Sequence, residues 1–444
     1  MKINPISSSF IVNQQPNILF FFPDQHRHDW IGAEPTNAVR TPYLDELAQN
    51  GVRFTNAVTP SPVCAPARAC LASGMEYDYC AVPDNSHNYP LENWTFYQAL
   101  QNVGYSVMGC GKFDLHKATS SWGIDGKGSI KDWGFTDGID NAGKWDAVRS
   151  GAEKPKDPYM YYLYQEGLVD VHLSDMARRR SNKMATFPTD LPESAYCDNW
   201  IAQNGLNLLN QCSDSSPWFL QINFTGPHSP WDLTSRMKST YAGFDFPPPH
   251  PTNRLVTDEI NEVRQNYSAM IENIDRWLGI YINWLSERNQ LDNTLIVFSS
   301  DHGEMLGDHD RWGKSLPYQS SIGVPLIIAG PNVKPGFVTD IPVSLIDLTA
   351  TFLDQANSKI PSQLHGRTLR SVLSGNDQVH RQYVLSGLDS WRLVYDGHHK
   401  LVQGFEGQSW LFDLKNDPAE TQNLILDQPK VVEKLQALVT YEFG

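Results

Sequence analysis

Short, unbroken apolar runs recur along this chain: NILFFF (17–22), YSVMGC (105–110), WFLQINF (218–224), TLIVFSS (294–300) and VPLIIAG (324–330). Apart from Gln221 and Asn223 in the third, none alternates apolar with polar residues, so strands made from these runs must be covered on both faces. Fully burying one large apolar side chain is worth about 1.5–3 kcal/mol, so leaving a face of such strands in water would forfeit much of the core. Helix signals lie between the runs. Thr41, Pro42 and Gly51 bracket TPYLDELAQNG as an N-cap, a first-turn proline and a C-terminal glycine. Further helices are expected near 94–102, 195–210 and 258–288, each leading into one of the runs. Helices alternating with doubly buried strands define an α/β fold: a large, mostly parallel central sheet flanked by helices.

The texture changes after about Gly375. RQYVLSG, WRLVYDG, HKLVQGF and SWLFDL are short and separated by turn residues, which predicts an antiparallel meander closed by a helix over 431–439. The expected division is a catalytic domain of residues 1–375 and a small C-terminal antiparallel-sheet subdomain of residues 376–444. The segment 142–190 is polar and punctuated by proline and glycine, and is expected to be an insertion bordering a pocket.

In open α/β sheets, ligands bind beyond the carboxyl ends of the strands. The first run is followed by Pro23-Asp24-Gln25, the second by Gly111-Lys112 and then Asp114 and His116. The third leads to Gly226-Pro227-His228, the fourth to Asp301-His302-Gly303-Glu304. One polar strand end is an ordinary turn or cap. Several converging on one sheet edge indicate a site. Asp24, Gln25, Asp301 and His302 suit a hard divalent cation such as calcium or magnesium, and one histidine is too few for a usual zinc site. In SPVCAPARACLASG, Pro66 fits a first helical turn and puts Cys64 at a helix N-terminus, with Arg68 one turn on along the same face. Helix N–H groups and a guanidinium beside a nucleophile would bind a tetrahedral oxyanion. A buried structural cysteine or an ordinary low-pKa thiol are the other readings of Cys64.

Composition narrows the partners. With 35 basic and 50 acidic residues the formal net charge is −15, which supplies no basic surplus for nucleic acid. An anionic substrate stays compatible, because a local cluster of cations can reverse the field inside a pocket. The six cysteines include no C-x-x-C pair, and most are expected to be buried thiols. Residues 1–15 hold one lysine and no sustained apolar run, and no later run is long enough to cross a membrane. The expected location is cytoplasmic, or periplasmic if the sequence is trimmed, with no membrane partner.

C-A-P-A-R at residues 64–68 resembles the C-x-P-x-R signature of type I, formylglycine-dependent sulfatases, a family of the alkaline-phosphatase-like superfamily. NILFFFPDQ, TPYLDELAQNGVRFTNAVTPSPVCAPARA, GPHSPWD, DHGEMLGDHDRWGKSLPY and LFDLKNDPAETQNL resemble further blocks of that family, in order, from residue 17 to residue 424. The resemblance implies hydrolysis of sulfate esters by a formylglycine that a formylglycine-generating or sulfatase-maturing enzyme makes from Cys64. It implies calcium, or magnesium, on Asp24, Gln25, Asp301 and His302. It assigns Arg68 and Lys112 to orienting formylglycine and sulfate, and His228 and Lys314 to the leaving-group oxygen. The Lys314 role comes from the resemblance alone.

Two departures stand out. Gln25 replaces a second acid common in the family, which resembles the branch of choline sulfatases and phosphonate monoester hydrolases. The usual G-K-x-H becomes Lys112-Phe113-Asp114-Leu115-His116, so Asp114 and His116 both stay candidates for the base of the second step. GDHDRWGKS lacks the first glycine of a phosphate-binding P-loop, because position 308 is Asp308. A sulfated carbohydrate is the expected substrate, with His26, Arg27, His28, Trp231, His309 and Trp391 as candidate sugar contacts. The alternatives are a choline or aryl sulfatase, a phosphonate monoester or phosphodiester hydrolase, and a non-catalytic binder of sulfated glycans.

Overall fold

All five residues of β1 (Asn17–Phe21) are buried. Ile18 and Phe20 enter a core shared with the helices Cys64–Ser73 and Phe96–Asn102. Leu19 and Phe21 enter a second core shared with Pro42–Gln49, Cys197–Gln211 and the 30-residue helix Asp258–Glu287. Alternate residues of one unbroken apolar run thus feed opposite cores, as a doubly covered strand requires. The computed structural model describes residues 15–34, 38–119, 122–150, 153–213, 215–253, 257–377 and 379–443.

The further strands are β2 (Gly51–Phe54), β3 (Ala57–Val58), β4 (Ser106–Gly111), β5 (Asp137–Asp140), β6 (Trp218–Asn223), β7 (Thr294–Phe298), β8 (Leu326–Ala329), β9 (Phe337–Thr339) and β10 (Val343–Ser344). The main sheet has eight strands in the order β5-β4-β6-β1-β7-β8-β2-β9. Its pairings are parallel except that β8 runs antiparallel to both neighbours, β7 and β2. That reversal matters for the site. The segment from the end of β7 to the start of β8 stays on the carboxyl edge, and Lys314 lies within it.

Sequence reasoning missed β2. Gly51 was expected to end the preceding helix, whereas it opens β2, where a Cβ would lie 2.2 Å from the Ile328 carbonyl oxygen. Close approach to β8, not helix termination, is what requires glycine there. Recognising β2 also explains Cys64: its helix follows the carboxyl end of a strand that is parallel to β1.

The C-terminal sheet has the order β11-β12-β13-β14, with β11 (Val384–Leu388), β12 (Trp391–Tyr395), β13 (His399–Phe405) and β14 (Gln408–Asp413), all antiparallel. One face, including Val384, Trp391, Leu393 and Phe412, joins the same core as Phe20. The other, through Leu385, Val394, Leu401 and Leu411, is covered by Leu435 of the final helix Pro429–Phe443. All six cysteines are free thiols, five of them buried. No helix among the described residues is long and apolar enough to cross a membrane.

Candidate functional site

The Cys64–Ser73 helix is buried on every side, and its alanines at 65, 67, 69 and 72 let it lie deep against the sheet. Cys64 begins it, and four strand ends deliver charge around the thiol. Asp24 follows β1, Lys112 follows β4, His228 follows β6, and Asp301 with His302 follows β7. The sulfur lies 2.9 Å from Lys314 Nζ, 3.3 Å from His302 Nε2 and 3.7 Å from Asp24 Oδ1. Lys112 Nζ donates to Asp24 Oδ2 and sits 3.0 Å from Asp114 Oδ2. Arg68 donates through Nε to Asp301 Oδ2 at 3.0 Å and through Nη1 to the Lys112 carbonyl and to Asn223 Oδ1. Gly111 makes this crowding feasible: at φ +107 its missing Cβ would sit 2.0 Å from the Asn223 carbonyl oxygen.

The helix N-terminus contributes less to anion binding than its position suggests. Val63 offers no side-chain cap, Pro66 has no N–H, and the Ala65 N–H donates to Asn85 Oδ1 at 3.0 Å. The positive field comes instead from side chains. Burial and Asp24 push the Cys64 thiol up, but Lys112, Lys314 and His302 outweigh them and bring it down to about 7. Burial opposes ionisation of Asp24, yet Lys112, His228, Lys314 and Arg68 hold its carboxyl well below the usual range. Burial, reinforced by Lys314, holds the His228 imidazole well below the ordinary histidine value.

Ligand atoms from Asp24, Cys64, Asp301 and His302 all lie within 4.8 Å of one another. Gln25 adds to this set in a telling way. Glu304 accepts its amide NH2, so the amide oxygen is left buried without a hydrogen-bond partner. Its backbone N–H donates to Asp301 Oδ1 at 2.9 Å. Two carboxylates, an orphaned amide oxygen and one imidazole fit a hard divalent cation.

The structure places other expected residues elsewhere. His116 is turned away from Cys64: Nε2 is 2.7 Å from Asp140 Oδ2, Nδ1 is 3.2 Å from Thr119 Oγ1, and the ring packs against Trp122 and Trp133. Asp114 bridges Lys112 and Lys117, and those cations hold its buried carboxyl below the usual range. The candidate sugar contacts do not gather at the pocket. His26 is fully buried, with Nε2 on the Trp30 carbonyl and its ring against Phe298. Arg27 is buried in ion pairs with Asp29 and Asp308. His28 is mostly buried, its Nδ1 without a hydrogen-bond partner. Trp231 packs in a core beside Trp312, and Trp391 packs in the C-terminal sheet near Phe405. His309 stacks on Tyr318 with ring centroids 3.8 Å apart. Large aromatic side chains pack where they bury most area, which overrides their surface-like sequence context.

A cavity of about 230 Å³ opens over the thiol. Cys64, Lys112, His228 and Lys314 form its inner end, and Asn85, Lys117, Trp145 and Asp146 contribute to its outer wall. The 142–190 segment borders the pocket as expected, through Ala142 to Asp146. Sequence reasoning assigned no role to Glu304, Asn85, Asn223 or Lys117. Glu304 stood in the strand-end inventory without a role, and Asn223, which ends β6, would have joined it had the polar residues inside the runs been counted.

A chain with these strand ends around a buried cysteine at a helix N-terminus matches a known class. The sulfatase family profile matches residues 16–358, and the profile described as N-sulphoglucosamine sulphohydrolase, C-terminal, matches residues 307–442. The chain belongs to the sulfatase family, within the alkaline-phosphatase-like superfamily, and is a sulfuric ester hydrolase. It is 29% identical over 444 residues to an arylsulfatase of Clostridium perfringens (strain 13 / Type A), covering 93% of this chain and 90% of that one. It is 26% identical over 439 residues to an ulvan-active sulfatase of Formosa agariphila, covering 93% and 77%. The solved structure of a protein in complex with its substrate D-glucosamine-2-N,6-O-disulfate superposes with a TM-score of 0.79 at 20% identity, covering 96% of this chain and 97% of the other.

Proposed function

We propose that this enzyme hydrolyses O-sulfate esters of a saccharide, with Cys64 converted to formylglycine by a maturing enzyme and calcium held by Asp24, Gln25, Asp301 and His302. One observation carries the reading: Lys112, Lys314, His228 and the Asp24–Asp301–His302 cluster converge on a single buried residue, Cys64. The ulvan-active sulfatase among the relatives supports a saccharide as the substrate.

When bound, the cation would offset negative charge on the sulfate and favour ionisation of a hydroxyl on hydrated formylglycine, for which the Cys64 sulfur stands in. The chain's own residues do the rest. Lys112 and Lys314 flank the reacting position and hold sulfate oxygens as charge moves onto them. Arg68 fixes the Asp301 carboxylate and keeps Nη2 free of any hydrogen bond, 3.6 Å from Asp24 Oδ2. Neutral His228 gains a proton as the anionic ester seats beside it and passes that proton to the departing alkoxide. The base of the second step is the less obvious role. His116 faces Asp140, and Asp114 is pinned by two lysines, so neither is free to take a proton. We assign it to His228, which is neutral again once the alkoxide has left and can receive the proton released as the aldehyde re-forms.

The deciding measurement is sulfate release from a panel of sulfated saccharides, by protein co-expressed with a maturing enzyme and by a matched Cys64→Ala protein. Release by the first and none above background by the second is expected. Equal release by both would remove Cys64 from the mechanism. Silence from fully converted protein on every sulfate ester would overturn the reading.

A further inference from the structure

The outer wall of the pocket has a chemistry of its own. Trp145 and Asp146 lie on the short helix Gly143–Ala147, beyond β5. The Trp145 ring is half-buried and, among the described residues, makes no aromatic or cation contact. Lys117 Nζ donates to Asp114 Oδ2 at 2.7 Å and lies 3.2 Å from Asp146 Oδ2, Asp146 Oδ1 lies 3.6 Å from Arg149 Nη1, and the Lys117 and Asp146 side chains stay partly exposed (13% and 18%). The wall therefore presents an ammonium donor beside a carboxylate acceptor. Asn85 spends its Oδ1 on the Ala65 N–H, and its NH2 has no protein partner among the described residues.

A hydroxyl both donates and accepts, so adjacent ring hydroxyls match a neighbouring ammonium and carboxylate. The C–H face of a sugar ring matches an indole face. A plain aryl group would use the indole and offer nothing to the Asn85 amide. Size narrows the choice further. At about 230 Å³ the cavity is smaller than the ~300–1,000 Å³ of pockets that enclose drug-sized ligands. Beyond the sulfate, that volume is of the order of one ring.

We propose that Trp145, Asp146, Lys117 and Asn85 form a leaving-group subsite for a single hydroxylated ring, so that sulfate is removed from free or chain-terminal sugar units and not from the interior of a polymer. The inference rests on the sulfatase reading for its reaction but not for its binding, and the test separates the two. Cys64→Ala protein, which cannot turn over, is titrated calorimetrically with monosaccharide O-sulfates covering each ring position, and with inorganic sulfate. At least one sugar sulfate should bind more tightly than sulfate alone. Adding Trp145→Ala or Asp146→Asn should weaken that sugar by about tenfold while sulfate binding stays unchanged. Unchanged sugar binding in both variants, or equal loss of sugar and sulfate, would overturn the subsite. Converted protein then provides the second arm. If the sugar binds as described but no sulfate is released, the subsite stands and the sulfatase reading falls. If Trp145→Ala releases sulfate from the sugar as fast as the parent, or if interior sulfates of a polysaccharide are released as readily as terminal ones, the subsite falls and the sulfatase reading stands.

Discussion

Two charged clusters lie at the same sheet edge, starting three residues apart in the sequence, and only one of them is closed. Every guanidinium nitrogen of Arg27 is engaged: Nε and Nη2 go to Asp29 at 2.6 and 2.8 Å, and Nη1 goes to Asp308 at 2.7 Å. Asp308 also takes Arg264 at 3.1 Å, the His250 N–H at 3.0 Å and the Ser320 hydroxyl at 3.0 Å. The Trp30 indole lies 5.3 Å from both guanidiniums. Two cations and two carboxylates cancel. Around Cys64, by contrast, Asp24 and Asp301 face three cations, Arg68, Lys112 and Lys314, while Asp114 is shared with Lys117. Gln25 Oε1 and Arg68 Nη2 are buried without hydrogen-bond partners. Leaving such a group unsatisfied costs about 1–3 kcal/mol, so these atoms are the places where the protein's own groups leave the cluster open. Burial and charge density do not separate a site from a structural network; closure does.

Breaking the closed cluster should have the largest effect on stability. Asp308→Ala would leave Arg264 with carbonyl partners alone and Arg27 with only Asp29 as its counter-charge. Loss of one member of a buried ion-pair network costs about 3–5 kcal/mol. Denaturant unfolding should register that loss, while kcat per folded molecule stays near the parent value. An unchanged midpoint would mean that the cluster's closure contributes nothing.

The open cluster should respond the other way. Lys314→Ala removes a cation whose near contact is the Cys64 sulfur. Loss of one charge-stabilising donor should lower kcat by roughly 10²–10³-fold. Stability should shift by no more than about 0.5 kcal/mol, since no structural partner is orphaned. A destabilisation as large as that of Asp308→Ala, with kcat intact, would erase the distinction between the clusters.

How far sequence alone reached follows from the same contrast. The unbroken runs expose the buried strands because burial on both faces leaves no polar alternation, and the residues just past them expose the site. GVRF was not legible as β2, because Gly51 also fits a helix terminus and only the neighbouring β8 backbone decides between them. The direction of β8 was equally hidden, and with it the reason why Lys314 reaches the carboxyl edge. Asp24-Gln25 and His26-Arg27 look alike as text. Their difference lies in partners nearly 280 residues away, Asp301 for Gln25 and Asp308 for Arg27. Trp231 and Trp391 misled for the same reason, since an aromatic residue's partners decide whether it lines a pocket or fills a core.

Asp275 offers a third state between closed and open, and the smallest predicted effect. Its carboxyl is closed by backbone alone: Oδ1 accepts the Leu44 N–H at 2.7 Å and Oδ2 the Tyr43 N–H at 3.3 Å. It thereby caps Pro42–Gln49, whose own N-cap, Thr41, makes no side-chain cap. Burial pushes the group up to about 7, with Asp45 and Glu272 adding to the shift and the two N–H groups opposing it. An unfolded aspartate titrates near ~3.9. Between those values the folded state holds the extra proton, so the group's contribution is complete below about 4 and is lost as pH rises through about 7. Asp275→Asn removes the titration and sacrifices one acceptor. Relative to the parent, the variant should therefore gain stability across that window, by on the order of a few °C in Tm. A Tm difference that stays constant from pH 4 to pH 8 would mean that two N–H groups suffice to keep the carboxylate ionised. Closure by a helix N-terminus would then equal closure by a cation.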